Sequence, residues 1–153
     1  MPNLDATDMR ILRAMQSDGS ATVTQLAERA GISQAPCSRR IQAMTDAGVI
    51  TGRSVELDRQ KLGFDLLVET RVKLQTHDPA TLDAFKAAIG AIPEVQSALL
   101  MLGEFDFRLQ VVVRDIGHYQ QLLQERLTAL PAIKEMQSSV VVETVKQTSA
   151  LPI

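Results

Sequence analysis

The 153-residue chain has one cysteine, Cys37, so no internal disulfide framework is possible. No apolar run approaches the length that crosses a bilayer. The first residues, Met1-Pro2-Asn3-Leu4-Asp5, carry neither a basic region nor an apolar core, so no secretion signal is expected. The two histidines, His77 and His118, lie far apart and lack a companion Cys or His. They are expected to be surface or capping residues rather than metal ligands. No nucleophile–base pair and no metal set accompanies the carboxylates, so neither a catalytic residue nor a cofactor is expected. An overall excess of positive charge is missing too, with 16 Lys/Arg against 18 Asp/Glu and a net charge of −2. A cytoplasmic protein with no membrane partner is the simplest expectation. What is present is an apolar fraction of 45% and a charged fraction of 22%, ordinary for one globular domain or two small ones.

Charge is uneven along the chain. Residues 29–53 hold four Arg (Arg29, Arg39, Arg40, Arg53) against one acid, Asp46. The same stretch has the layout of a helix-turn-helix, with its second helix placed to enter a DNA major groove. Asp5 is positioned to cap a first helix carrying Met9, Ile11, Leu12 and Met15, which Asp18-Gly19 stops. Thr22 can cap a second helix with Val23, Leu26, Ala27 and Ala30 inward, closed by Gly31. Ser33 is expected to cap the third, with Pro36 in its first turn and Ala47-Gly48 at its end.

On the third helix Cys37, Ile41 and Met44 share one face, while Ala35, Ser38, Arg39 and Gln42 share the opposite one. If the first face packs inward, the second faces a groove. Arg39 then suits guanine and Gln42 suits adenine. Ser33, Gln34 and Ser38 suit phosphates or bases, aided by the helix N-terminus. Thr22, Ala35 and Arg53 complete the candidate DNA-binding set, although Arg53 reads equally as a plain linker charge. Arg40 lies beside the inward face, and two roles stay open: a phosphate contact, or an ion pair with an acid such as Glu28. Cys37 reads as a buried thiol. One weakly charged unit releases few counterions on binding, so useful affinity calls for several units on one particle.

Residues 53–64 read as a linker or hinge strand between a helical domain at 1–52 and a second domain at 65–153. In the latter, Leu66, Val68, Val72 and Leu74 alternate with polar residues as a half-buried strand. Asp78-Pro79 opens a helix with Leu82, Phe85, Ile89 and Ile92 as its stripe. Strands follow at about 95–102 and from Phe107 to Val113. A second helix is expected over about 117–130, and a last strand over about 134–146. The order βαββαβ is the ferredoxin-like arrangement, so the fold class is α+β. An internal echo supports it: Ala91-Ile92-Pro93-Glu94-Val95 and Ala129-Leu130-Pro131-Ala132-Ile133 end the two helices alike. The sheet face away from the helices, with Val112, Leu67 and Val141, is expected to meet another subunit.

Taken together the two halves resemble the Lrp/AsnC (feast/famine) family of transcription regulators over nearly the whole chain. The matching pieces are Leu4-Asp5-x-x-Asp8-x-x-Ile11-Leu12, Leu26-Ala27, Gly31-Ile32-Ser33, Pro36-Cys37-x-x-Arg40-Ile41, Gly48-Val49-Ile50 and Leu62-Gly63. The later half adds Gly103-x-x-Asp106-Phe107 and Thr144-Val145-Lys146-x-Thr148-x-Ala150-Leu151-Pro152. Two departures stand out: Leu102 where the family usually has Thr, and Arg53 where an aromatic is common. The resemblance implies a regulator of double-stranded DNA whose ferredoxin-like half dimerises, with dimers assembling into a tetramer or octamer. It also implies a small effector, often an amino acid, bound between subunits.

The candidate effector residues are Leu102, Gly103, Glu104, Asp106, Ser138 and Ser139. From the residues alone, the glycine permits a turn, Asp106 could bind an α-amino group or hold backbone N–H groups, and the serines could bind a carboxylate. A plain hairpin turn explains the same residues. Two other functions remain open: a sensing protein whose helical domain binds protein, and an enzyme using Glu104 and Asp106 as acid and base.

Overall fold

The structure, a computed structural model, describes residues 3–153; Met1 and Pro2, which the expected helical domain includes, lie outside them. The described chain divides into two compact units, one of residues up to Glu56 plus Lys146–Ile153, the other Leu57–Val145.

In the first unit, α1 (Ala6–Ser17), α2 (Val23–Ala30) and α3 (Gln34–Asp46) pack around Ile11, Leu26, Ala30, Cys37 and Met44. Each start has a local cause. Asp5 accepts from the Thr7 and Asp8 N–H groups while Asp8 reaches back to the Asp5 N–H, a reciprocal cap. Thr22 and Gln25 make a second one. Gly31, at φ +70°, supplies the left-handed residue that ends α2, and the Ile32 N–H closes onto the Ala27 carbonyl. Ser33 precedes α3 in extended conformation, but its side chain makes no capping bond. With Pro36 at the third helical position, one of the free N–H groups such a cap would serve is already missing. Residues 146–153, expected with the C-terminal domain, cluster instead with the helices. The Gln16 carboxamide grips the Leu151 backbone in both directions, donating to its carbonyl at 3.2 Å and accepting its N–H at 2.6 Å.

The second unit is a four-stranded antiparallel sheet: β1 (Leu66–Leu74), β2 (Val95–Leu100), β3 (Phe107–Val113) and β4 (Ile133–Val140), in spatial order β2-β3-β1-β4. α4 (Pro79–Gly90) and α5 (Ile116–Leu122) provide its cover. Phe85, Ile89, Tyr119, Leu122 and Leu127 form one core with Val68, Val72, Leu109 and Val111 of the sheet. The opposite face carries Leu67, Glu69, Arg71, Arg108, Gln110 and Val112, paired across β1 and β3. There Arg108 makes two bonds to the Glu69 carboxylate, 2.7 and 3.2 Å, and holds it below the usual carboxylate range.

Three further expectations are corrected. The second helix of this unit loses α geometry after Leu122 and continues as a π-helical turn over Leu123–Leu127. The last strand stops at Val140 rather than near 146, because its partner β1 begins only at Leu66; one more backbone bond, from the Val141 N–H to the Leu67 carbonyl at 2.9 Å, ends the pairing. Residues 53–64 form a linker and no strand, since a strand needs a neighbour to take its backbone bonds and none is paired there among the described residues.

Candidate nucleic-acid interface and effector region

The inward face of α3 anchors it. Cys37 is fully buried, and burial pushes its thiol pKa up, which disfavours the reactive thiolate. Ser33, Gln34, Ala35, Ser38, Arg39 and Gln42 are exposed. Arg39 has no hydrogen-bond or ion-pair partner among the described residues, so its five donors stay available. Gln42 is not idle: its Nε2 donates to Asp46 Oδ1 at 2.7 Å. Thr22 is exposed but shares its hydroxyl with the α2 cap, and Arg53 is exposed.

Arg40 does not pair with Glu28. Its Nη1 donates to Asp5 Oδ2 at 2.7 Å and to Asp8 Oδ1 at 2.8 Å. Asp8 is only 8% exposed, so this guanidinium ties the start of α1 to the middle of α3. The Asp8 N–H and then the Arg40 guanidinium hold the Asp5 carboxyl below its ordinary value. Neighbouring arginines thus divide the work: Arg40 points home and Arg39 faces outward. Sequence spacing could not find these partners, because they lie 35 and 32 positions away.

In the sheet unit, Leu102, Gly103 and Glu104 are exposed at the β2–β3 hairpin, while Asp106 is partly buried. Asp106 Oδ2 accepts the Leu74 N–H at 2.7 Å and Oδ1 meets His77 Nε2 at 2.8 Å. Burial raises the Asp106 pKa, but the Leu74 N–H and His77 outweigh it and hold the carboxyl low. Ser138 and Ser139 pair with Thr70 and Glu69, which point to opposite faces of the sheet. Ser138 accepts from the Tyr119 hydroxyl at 2.6 Å and lies 3.1 Å from Thr70 Oγ1. β1 separates both serines from β3 and its hairpin, so the six effector candidates do not form one cluster within a single chain. A cleft of about 360 Å³ between α4 and β2 includes none of the six, and Lys86 is its one charged lining residue. His118 accepts the Arg114 N–H and sits 3.6 Å from Glu94.

A capped three-helix unit with an exposed polar row on its third helix, joined in one chain to a ferredoxin-like sheet unit, defines a DNA-binding regulator with a separate ligand-binding half. The chain matches the family models described as winged helix-turn-helix DNA-binding, over residues 4–51, and Lrp/AsnC ligand binding domain, over residues 68–151. It belongs to the Lrp/AsnC family of transcription regulators. It is 39% identical to the leucine-responsive regulatory protein of Rhizobium meliloti, covering 98% of this chain and 96% of that one. It is 36% identical to the proline dehydrogenase transcriptional activator of Rhizobium radiobacter, covering 95% and 94%. Among solved structures it resembles a transcriptional regulator of Neisseria meningitidis in complex with L-Met, at TM-score 0.93 and 30% identity over 98% and 97% of the chains. The α+β architecture and the helix-turn-helix assignment agree with these matches. No helix among the described residues is long and apolar enough to cross a membrane.

Proposed function

We propose that this protein is an amino-acid-responsive regulator that reads double-stranded DNA with Thr22, Ser33, Gln34, Ala35, Ser38, Arg39, Gln42 and Arg53. The observation that carries this reading is the exposed row on α3 in which Arg39 is unengaged while Arg40 is held inside. Residues 1–52 read the duplex, residues 53–64 form the hinge, and residues 65–145 bind effector and assemble subunits, while residues 146–153 return to the helical unit. Homodimers join into a tetramer or octamer, which compensates for the low local charge of one reading unit. The protein works in the cytoplasm, where its DNA is, and releases its effector chemically unchanged.

The effector is an amino acid, a reading supported by the L-Met complex of the Neisseria relative. Leu102, Gly103, Glu104 and Ser139 present the groups that meet it. Asp106 and Ser138 support the site from beneath, since their oxygens already hold Leu74, His77, Tyr119 and Thr70. The test is a thermal-shift series with the 20 amino acids, paired with retardation of the protein's own upstream DNA. A binder at 100 times its Kd adds about 2.7 kcal/mol of apparent stability. Arg39→Ala should lose specific retardation by about 10- to 100-fold with an unchanged far-UV spectrum. No shift with any amino acid would contradict the effector class, and undiminished specific retardation would contradict the role of Arg39.

A further inference from the structure

The exposed stripe of α3 does not end at Gln42. Positions 35, 39, 42 and 46 follow one another by four, three and four residues, which a helix of 3.6 residues per turn brings onto one face. Asp46 therefore continues the row of Ala35, Arg39 and Gln42, one turn further on.

Two forces oppose a carboxylate at this place. Asp46 is the last residue of α3, whose final turn holds no basic residue. The dipole there is negative and favours a cation. Asp46 also lies on the face read as meeting DNA, where a phosphate polyanion repels it. It is the one acid among residues 29–53. Its hydrogen-bond partner is the one carboxamide on the stripe, through Gln42 Nε2 at 2.7 Å.

That bond has a chemical consequence. A carboxamide has one accepting end and one end with two N–H donors, and an ionised carboxylate can only accept. Asp46 therefore selects the Nε2 end of Gln42 and turns Oε1 away. One N–H is taken. Oε1 and the second N–H remain, the acceptor–donor pair that matches N6 and N7 of adenine in the major groove. A Gln42 released from Asp46 can rotate and offer both N–H groups to the two acceptors of guanine, O6 and N7.

We propose that Asp46 is a specificity-determining positioning residue. It holds Gln42 in the adenine-reading orientation and lowers affinity for DNA in general. The proposal rests on α3 being the helix that enters the groove. The experiment uses the full chain as wild type, Gln42→Ala, Asp46→Ala and Asp46→Asn, against duplexes selected by the wild-type protein from a random pool. Each base pair of the half-site is varied in turn at two salt concentrations.

Gln42→Ala should lose base preference at one position. At that position Asp46→Ala should discriminate A·T from G·C about fivefold less than wild type, or worse, while binding unrelated DNA more tightly. Asp46→Asn, which keeps an acceptor without the charge, should retain most of the discrimination. An unaltered preference in Asp46→Ala would overturn the proposal while leaving groove reading intact. So would a preference lost at a position other than that of Gln42, the mark of a carboxylate reading cytosine directly. A wild-type chain that selects no sequence would defeat the groove reading itself, and with it this proposal.

Discussion

Ser138 and Ser139 are neighbours of the same type, yet the structure gives them different duties, and substitution separates them. The three hydroxyls of Thr70, Tyr119 and Ser138 lie within 3.2, 3.1 and 2.6 Å of one another. Each hydroxyl has one proton to give. If Tyr119 donates to Ser138, Ser138 to Thr70 and Thr70 to Tyr119, the ring closes and every proton is used. Ser138 itself is exposed, but Thr70 is fully buried and Tyr119 nearly so, so the two hydroxyls left behind have little access to water. Ser138→Ala leaves two hydroxyls that can make one bond between them, stranding one donor. The net loss is about 1 to 2 kcal/mol. Ser139→Ala, on the open face with no side-chain bond among the described residues, should stay within about 0.5 kcal/mol of wild type.

The assay is urea unfolding followed by tyrosine fluorescence. Tyr119 is the only tyrosine and there is no tryptophan, so the signal reports the sheet unit alone. With a slope of about 1–3 kcal/mol per molar urea, Ser138→Ala should lower the midpoint by roughly 0.3 M or more. Thr70→Val combined with Tyr119→Phe, followed by circular dichroism, should cost less than the sum of the two single changes, because no lone hydroxyl is left buried. Equal midpoints for Ser138→Ala and Ser139→Ala would refute the ring and return the Ser138 hydroxyl to the ligand.

Further outcomes follow from the same geometry. Arg40→Ala should weaken DNA binding without changing the slope of affinity against salt, since Arg40 bonds Asp5 and Asp8; a slope reduced by about one per subunit would mark it as a phosphate contact. Asp78 caps α4, and the Thr81 hydroxyl and N–H, with Thr76, lower its pKa from 3.8 to about 2. A depressed carboxylate stabilises the fold above its unfolded pKa and loses that contribution as pH falls through the folded one. Stability should therefore drop between about pH 4 and 2, and Asp78→Asn, which still caps, should flatten that drop in acid titrations of the unfolding midpoint. Gln16→Ala should speed hydrogen exchange at the Leu151 amide and cost about 1 kcal/mol or less.

Local chemistry was the legible part of this fold. Asp5, Thr22 and Asp78-Pro79 announce their helices because a cap acts within four residues, and β1 and β3 announce themselves by alternation. The two Pro-containing echoes mark real turns, with Ile92 and Leu130 buried and strands starting at Val95 and Ile133. Tertiary partners were not legible. Nothing near Arg40 in sequence points to Asp5 and Asp8, and nothing near Leu151 points to Gln16. The π turn at Leu123–Leu127 is hidden because its leucines repeat as well in an α-helix. The exposed face of α3 followed from periodicity, whereas the facing directions of Ser138 and Ser139 needed the register with β1.

The most direct measurement is selection of binding sites from random double-stranded DNA by the full chain and by Arg39→Ala in parallel. If α3 reads the groove through Arg39, the wild-type protein enriches near-palindromic half-sites spaced by about one helical turn or a multiple of it, and Arg39→Ala enriches no such motif. Enrichment of the same motif by both proteins, or of none by the wild type, would contradict that reading.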